Sequence, residues 1–187
     1  MKGLYLEIRY YSYTNRYPQF EKIMRTIIIL FFSILIVSCG GDDFHNLGVY
    51  QAKQGNFEKA IEYFSKAIEK NPKDAEAYYS RAHSQQTIGG NEEQIISDYT
   101  SSLKFNPNDN EAYMNRGVAK MKIGQNSEAI SDYKKAIELN PNYDVVYANL
   151  GNAYKLNNNN DKACLNWKKS LNLGNESVRQ RISLNCK

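Results

Sequence analysis

The feature that most constrains the fold of this chain is an internal repeat with a period of about 34 residues. Four segments align: KAIEYFSKAIEKNP (59–72), QIISDYTSSLKFNP (94–107), EAISDYKKAIELNP (128–141) and KACLNWKKSLNLGN (162–175). The first three end in Asn-Pro, and the prolines Pro72, Pro107 and Pro141 lie 35 and 34 residues apart. This spacing predicts similar units stacked side by side, each burying its apolar face against its neighbours.

Each of these segments follows another in which apolar and small residues recur at helical spacing. A turn rich in glycine or asparagine separates the two. The turns are Gly55-Asn56, Gly89-Gly90, Gly124 and residues 157–160. Asn-Pro ends the second helix because the residue before a proline is pushed away from helical backbone angles. The predicted unit is therefore a pair of helices of about a dozen residues each.

The repeated positions carry a recurring set of residues. The first helix opens with an aromatic residue and continues with Leu-Gly, Arg-Ala or Arg-Gly, while the second carries a small residue and then an aromatic. In chain order these positions are Phe44, Tyr78, Tyr113 and Tyr147; Leu47-Gly48, Arg81-Ala82, Arg116-Gly117 and Leu150-Gly151; Ala60, Ala129 and Ala163; and Phe64, Tyr99, Tyr133 and Trp167.

This pattern resembles the tetratricopeptide repeat over roughly residues 41–175. The resemblance implies an all-α fold, a right-handed α-solenoid of about four helix-turn-helix units. We place the solenoid at residues 44–177 and a C-terminal capping helix at residues 178–187. The second repeat has one extra residue at Gly89-Gly90 and carries Ile95 where the others have alanine. We expect a looser turn there, because a glycine forced to be helical costs about 1 kcal/mol.

Two of the repeats have arginine in place of leucine in the first helix and aspartate before the aromatic of the second. The combinations are Arg81 with Asp98 and Arg116 with Asp132. This co-occurrence predicts an ion pair between the two helices of each repeat. Its role is structural, and its contribution is about 0–1 kcal/mol if it is exposed.

The C-terminal segment ESVRQRISLNCK has Val178, Ile182 and Cys186 at intervals of four residues, which predicts a helix with one apolar stripe. Such a helix would cover the open end of the stack, as solenoids require. Cys164, in the last second helix, should face it. In an exported protein we expect Cys164 and Cys186 to form a disulfide worth about 3 kcal/mol, and the alternative is two buried free thiols.

The N-terminal region, residues 1–38, has the features of a bacterial signal peptide. It contains TIIILFFSILIV (26–37), an uncharged run too short to span a bilayer, which follows Lys22 and Arg25. Because Met-Arg followed directly by this run makes a compact signal, we expect Met24 to be the true start.

The residues Ile-Val-Ser-Cys that end at Cys39 resemble a lipobox. That resemblance implies a diacylglycerol on Cys39, which becomes the first mature residue, and makes residues 39–43 a lipidated tether. It also implies a membrane-anchored lipoprotein of the bacterial cell envelope, facing the periplasm or the cell surface. The alternatives are an ordinary cleaved signal and a hydrophobic segment with a coincidental cysteine.

The sequence carries no pattern typical of an enzyme. His45 and His83 both lie on first helices, and neither has a second metal ligand one turn away. A glycine-rich phosphate loop and a nucleophile elbow are both missing from the sequence. We therefore predict no catalytic residue, no metal site and no cofactor. Residues 39–187 hold 19 basic and 18 acidic side chains and no basic run, which argues against a nucleic-acid partner.

In the family, first-helix side chains line a concave groove, and the resemblance implies the same here. The groove would be lined by Asn46, Val49, Lys53, Tyr79, Ser80, His83, Gln86, Asn115, Val118, Lys122, Asn149, Asn152 and Lys155. Ser80, Asn115 and Asn149 occupy equivalent positions, and their polar groups suit the backbone of an extended peptide. Some family members grip a C-terminal carboxylate with groove lysines. His45 and Glu111 stand at two of those positions, which argues against that mode.

The sequence thus predicts a non-enzymatic scaffold or adaptor that binds a protein or peptide partner in this groove. A glycan- or peptidoglycan-binding envelope module is the alternative from another class, since tyrosine and asparagine side chains also suit sugars. A non-catalytic accessory subunit of an envelope complex is a third. The fold alone does not choose among them.

Overall fold

The computed structural model describes residues 43–186, which lie in one compact unit. Within this part of the chain nine α-helices follow one another, with a 3₁₀ turn before the last. They are α1 (Phe44–Lys53), α2 (Phe57–Lys70), α3 (Ala75–Thr87), α4 (Glu92–Phe105), α5 (Asn110–Lys122), α6 (Asn126–Leu139), α7 (Asp144–Leu156), α8 (Asn160–Asn172), the 3₁₀ turn Glu176–Val178 and α9 (Arg179–Asn185). Within these residues, no helix is long and apolar enough to cross a bilayer. The predicted signal region, the Met24 start and Cys39 lie outside the described residues.

The helices form the predicted repeat units. Helices α1 and α2 pack together, as do α3 and α4, α5 and α6, and α7 and α8. Each second helix also packs against the first helix of the next unit, and the first helices contact one another in sequence. The predicted all-α solenoid of four helix-turn-helix units is confirmed.

The turn within each unit depends on one residue with a left-handed backbone. Gly55, Gly89 and Gly124 have φ angles of 78°, 74° and 78°, and Asn158 takes this role in the last repeat with φ of 57°. Glycine adopts this conformation without a steric penalty, and asparagine is one of the few other residues that tolerates it. This explains why the fourth repeat can do without a glycine.

The turn of the second repeat closes with the same two hydrogen bonds as the others, and one of the two is longer. The N–H of Gly90 donates to the carbonyl of Gln85 at 2.8 Å, while the N–H of Gly89 donates to that of Gln86 at 3.4 Å. The matching bond measures 3.0–3.1 Å in the other repeats, so the expected looser turn is seen in this bond alone. The extra residue is accommodated at Asn91, whose side chain accepts a hydrogen bond from the N–H of Gln94 at 2.9 Å and caps α4. Ile95, at the alanine position, is fully buried.

Within three of the units, a glycine on the first helix lets an aromatic ring of the second helix approach the backbone. The pairs are Gly48 with Phe64, Gly117 with Tyr133 and Gly151 with Trp167. A Cβ atom added to any of these glycines would lie 2.5–2.7 Å from the ring. The recurring small residue is therefore required by close helix packing.

Both predicted arginine–aspartate pairs form, and their carboxylates are buried. The Nε and Nη2 of Arg81 each donate to the carboxylate of Asp98 at 2.8 Å, and Arg116 donates to Asp132 at 2.9 and 2.6 Å. Asp98 is only 2% exposed and Asp132 only 4%. The expectation for an exposed pair therefore does not apply, because removing one partner would leave a buried charge uncompensated.

Each of these arginines also ties its repeat to the preceding one. Nη1 of Arg81 donates to Oγ of Ser65 on α2, and Nη1 of Arg116 donates to Oγ1 of Thr100 on α4, both at 3.1 Å. Each guanidinium group thus links three helices: the helix that carries the arginine, its partner in the same repeat, and the second helix of the preceding repeat. We call each arginine with its aspartate and hydroxyl partner an arginine clamp.

The C-terminal segment covers the last repeat as predicted, with a later helix start. Val178 belongs to the 3₁₀ turn and is fully buried, and α9 begins at Arg179. Ile182 and Cys186 pack against the apolar core formed by α6 to α8. The Cα atoms of Cys164 and Cys186 are 5.5 Å apart, a separation typical of disulfides.

Candidate partner-binding site

Five of the side chains predicted to line the groove meet in one cleft between the first and second repeats. These are Val49, Lys53, Tyr79, Ser80 and His83. The cleft has a volume of about 390 Å³, and its remaining lining residues are Ala52, Phe57, Phe64 and Ser84. Because most of this lining is apolar, we call it the apolar cleft.

A second cleft lies beside the first and shares Tyr79 and Ser80 with it. It has a volume of about 290 Å³ and is also lined by His45, Ala75, Glu76, Ser102, Asn106, Asp109 and Glu111. The lining therefore includes three carboxylates, and we call it the acidic cleft. The N-terminal ends of α3 and α5 supply Glu76 and Glu111 at equivalent repeat positions, so the periodicity of the solenoid brings the two together.

Tyr79 stands between the two clefts and links the second and third repeats. Its hydroxyl donates to Oε2 of Glu111 at 3.1 Å and accepts a hydrogen bond from Nδ2 of Asn115 at 3.2 Å. Its ring stacks on His83 with centroids 6.1 Å apart and meets the ring of Tyr99 edge-on at 5.6 Å. The side chain is thus fixed in place before any ligand binds.

The carboxylates of the acidic cleft affect the pKa values of Tyr79, which lines it, and of Tyr143, which does not. Burial raises the pKa of Tyr79, and the charges of Glu111 and Asp109 raise it further. The pKa of Tyr143 is also raised, by burial first and then by Glu111 and other nearby carboxylates. Since each tyrosinate would add a negative charge beside these carboxylates, both hydroxyls stay protonated at neutral pH.

The remaining predicted groove residues are mostly bonded within the protein. Asn115 is buried and donates to Tyr79, the amide of Asn152 accepts from Nε1 of Trp167 at 3.1 Å, and Nζ of Lys122 pairs with Glu92 at 2.7 Å. The others are Asn46, which bonds Asp43; Gln86, which accepts from the hydroxyl of Tyr99 at 3.0 Å; Val118, which packs against the apolar core of α6 to α8; Asn149, which is half-buried; and Lys155, which donates to Asn160 at 3.0 Å. The structure therefore brings the predicted residues of the first two repeats together more closely than those of the last two.

Sequence reasoning missed most of the residues that line the acidic cleft, and Ser102 is one that the repeat pattern could have revealed. Ser102 is 1% exposed, and its hydroxyl has no hydrogen-bond partner among the described residues. It occupies the position of Ala67 and Ala136 in other repeats. In the last repeat that position holds Ser170, whose hydroxyl donates to the carbonyl of Asp144 at 2.8 Å. A hydroxyl at a buried alanine position was the available signal.

Sequence profiles described as Tetratricopeptide repeat match the chain in two sets of segments. One profile matches residues 43–74 and 111–143, and a second matches residues 63–96 and 132–164. Together they cover more than half of the chain. Among curated proteins there is no significant match.

Solved structures with similar folds include several of the protein MamA. One MamA crystal structure is 25% identical with a TM-score of 0.69, and the match covers 73% of this chain and 80% of that one. MamA from Desulfovibrio magneticus RS-1 is 21% identical with a TM-score of 0.69, covering 75% and 79%.

A third similar structure is the first repeat domain of Spaghetti (RPAP3), bound to the HSP90 peptide SRMEEVD. It is 24% identical with a TM-score of 0.57, and the match covers 60% of this chain and 88% of that one. With the helix pairs, the glycine–ring contacts and the matched profiles all in agreement, the chain belongs to the tetratricopeptide repeat family.

Proposed function

We propose that this chain is a non-catalytic scaffold that holds an extended segment of a partner protein in the groove formed by the apolar and acidic clefts. Tetratricopeptide repeats are interaction scaffolds, and a related structure carries a bound peptide. The observation that supports this groove as the site is Tyr79, which forms part of both clefts and is held rigid by two hydrogen bonds. A prearranged wall lowers the entropic cost of ordering a ligand.

Site-specific photo-crosslinking in cells tests this proposal. A photoreactive residue at His83, which is exposed and lines the apolar cleft, should capture a discrete partner identifiable by mass spectrometry. The matched control is Ser97 on α4, which is also exposed and lines neither cleft. Capture from Ser97 but not from His83 would move the binding site to the second-helix face and contradict the proposal.

The scaffold is anchored in the bacterial envelope by a lipid on Cys39 and faces the periplasm or the cell surface. This part of the proposal is supported by the order of charge, apolar run, small residue and cysteine in residues 22–39. Several acyl chains on one residue would hold the protein firmly, whereas a single chain binds only marginally.

Replacing Cys39 with alanine tests the anchor. The wild-type protein should fractionate with membranes and incorporate labelled fatty acid, and the C39A protein should lose both properties. Incorporation of label into the C39A protein would contradict the assignment. The mass of the unprocessed precursor tests the Met24 start, since a precursor that begins at Met1 would rule it out.

In an oxidising envelope, Cys164 and Cys186 form a disulfide that fastens α9 to α8. The 5.5 Å separation of their Cα atoms supports this pairing, because the bridge then requires no movement of the backbone. Exported proteins keep such bridges, while cytosolic thiols stay reduced.

A further inference from the structure

We propose that the acidic cleft binds the cationic side chain of a lysine or arginine of the partner, and that the adjacent apolar cleft takes a neighbouring apolar residue. This inference rests on the proposed function and specifies the chemistry of the partner. It also reverses the charge of the ligand held by family members that grip a C-terminal carboxylate.

The three carboxylates of the acidic cleft have no neutralising basic partner within residues 43–186. Among the residues that the structure describes, no lysine or arginine lines the cleft or forms an ion pair with Glu76, Asp109 or Glu111. Asp109 uses one oxygen to cap α5 through the N–H of Ala112 at 2.9 Å, and Glu111 uses one to accept from Tyr79. The second oxygen of each of these two carboxylates is left to receive a ligand.

A buried hydroxyl supplies an independent indication of a ligand. Ser102 lines the cleft at 1% exposure, with no hydrogen-bond partner among the described residues. Its counterpart Ser170 bonds the carbonyl of Asp144, so an unpaired hydroxyl is not inherent to this position. A buried polar group without a hydrogen-bond partner is unfavourable, and an incoming N–H donor would supply the missing bond.

The imidazole of His45 adds a second unpaired atom to the same wall. Its Nε2 is buried and has no hydrogen-bond partner in the described part of the chain. In the neutral tautomer that leaves Nε2 unprotonated, this atom accepts a hydrogen bond. The cleft therefore offers carboxylate, hydroxyl and imidazole acceptors around one space.

The dimensions and layout favour an organic cation. A volume of about 290 Å³ lies just below the roughly 300–1,000 Å³ range of small-molecule pockets, which suits one long side chain better than a whole ligand. No group of His, Cys, Asp and Glu within residues 43–186 is arranged to hold a metal ion. An ammonium or guanidinium group can bond several separated acceptors at once, and the ring of Tyr79 adds an aromatic surface for it.

The shared wall of the two clefts predicts the sequence of the partner. Since Tyr79 and Ser80 line both clefts, a side chain in one is close to a side chain in the other. An extended peptide would place a basic residue in the acidic cleft and an apolar residue within about two positions of it in the apolar cleft.

Selection of a random peptide library on the full-length protein in detergent micelles tests this inference. Enriched peptides should carry lysine or arginine next to an apolar residue and should compete with crosslinking from His83. The double variant Glu76→Gln and Glu111→Gln, which keeps the shape of both side chains, should weaken their binding about tenfold or more. Changing the basic residue of the peptide to norleucine should cause a similar loss, and the two losses should not add.

The matched control is Glu93→Gln with Glu128→Gln, which removes two charges from first turns of second helices that line neither cleft. This control should change binding less than about twofold. Enriched peptides that lack a basic residue, or equal effects of the two double variants, would overturn the basic subsite while leaving the groove intact. Failure to enrich any peptide that competes with the His83 crosslink would overturn the groove as well.

Discussion

At one equivalent position of the first helix, the two middle repeats use a charged residue and the last repeat uses an apolar one. In repeats two and three, Arg81 and Arg116 each satisfy a buried carboxylate and reach a hydroxyl on the preceding repeat. In the last repeat Leu150 occupies that position at 4% exposure, inside an apolar core that includes Trp167 and Val178. Directional bonds fix how one repeat is set against the next, whereas apolar burial contributes stability without direction. In the middle of the stack, the ion pairs therefore fix the position of each repeat relative to the preceding one. At the end of the stack, apolar packing closes the core.

The largest effect should come from breaking an arginine clamp. Arg81→Leu imitates the last repeat but leaves Asp98 buried with only the amide of Gln94, at 3.1 Å, still bonded to it. We expect the free energy of unfolding to fall by about 3–5 kcal/mol in urea titrations. Arg116→Leu is the matched control and should cost less, because Nζ of Lys120 also pairs with Asp132 at 2.8 Å.

Adding Asp98→Asn to Arg81→Leu should recover much of the lost stability, because the uncompensated charge is then removed. A loss below about 1 kcal/mol for Arg81→Leu would mean that the clamp behaves like a surface ion pair. The distinction between the middle and the end of the stack would then disappear.

The next largest loss of stability should come from the C-terminal end of the stack, which α9 covers. Replacing both Cys164 and Cys186 with serine should lower the free energy of unfolding by about 3 kcal/mol, since the sequence separation of 22 residues makes a loop of intermediate length. Reductant should destabilise the wild-type protein by a similar amount and have no effect on the variant. Unchanged wild-type stability under reductant, together with two alkylatable thiols in the folded protein, would show that the cysteines are not bridged.

A smaller loss of stability is expected when a glycine that contacts an aromatic ring is replaced with alanine. The loss should differ between the last and the third repeat because their rings differ in size. Gly151→Ala would push a Cβ to within 2.5 Å of Trp167, and Gly117→Ala would approach Tyr133 at 2.7 Å. Overpacking of this kind costs about 1–3 kcal/mol, and the bulkier indole should place Gly151→Ala at the upper end of that range. Thermal unfolding followed by circular dichroism measures both variants. An equal or smaller loss of stability for Gly151→Ala than for Gly117→Ala would indicate that the last repeat adjusts to the added methyl group more readily than the third.

The smallest effect is a dependence on alkaline pH that belongs to the middle repeats. Burial raises the pKa of Tyr99 and of Tyr133 above that of an exposed tyrosine. Above about pH 10 the unfolded chain loses these protons while the folded chain keeps them, so the free energy of unfolding falls as pH rises. Each tyrosine contributes a slope of up to about 1.4 kcal/mol per pH unit.

Urea titrations at about pH 9 and pH 11 measure this slope, which spans the ordinary tyrosine pKa of about 10. Tyr133→Phe should reduce it, because phenylalanine keeps the ring without the titrating hydroxyl. A slope identical in wild type and variant would exclude Tyr133 as its source.

The repeat architecture could be predicted because it is encoded in local, periodic positions. Gly117, Ala129 and Tyr133 recur at the same register in other repeats, and the structure places them in the helix contacts that this register requires. The arginine–aspartate pairs were also predictable from their co-occurrence. The burial of their carboxylates and the added bonds from the arginines to Ser65 and Thr100 of the preceding repeats were not, because both depend on how neighbouring repeats are stacked.

The candidate site could be predicted only in part. Val49, Tyr79 and His83, which the first-helix register predicts for one groove, line one cleft in the structure. The register could not reveal that Asn115 donates a hydrogen bond to Tyr79. Polar side chains on one face can bond one another, and the repeat pattern does not show which pairs form. The acidic cleft depends on side chains from four different helices and one loop, so it emerges only once the stack is assembled. The remaining groove residues stay a prediction.

Trp167 gives the closed end its own optical signal. It is the single tryptophan of the chain, 2% exposed above Gly151 and bonded to Asn152, so its fluorescence reports on the last repeat alone. Circular dichroism of the backbone reports on every helix at once. Superimposable denaturation curves from the two signals would identify a single cooperative transition, while a later fluorescence change would mean that the stack opens from its other end. A natural chromophore thus makes the order of disassembly measurable without any label.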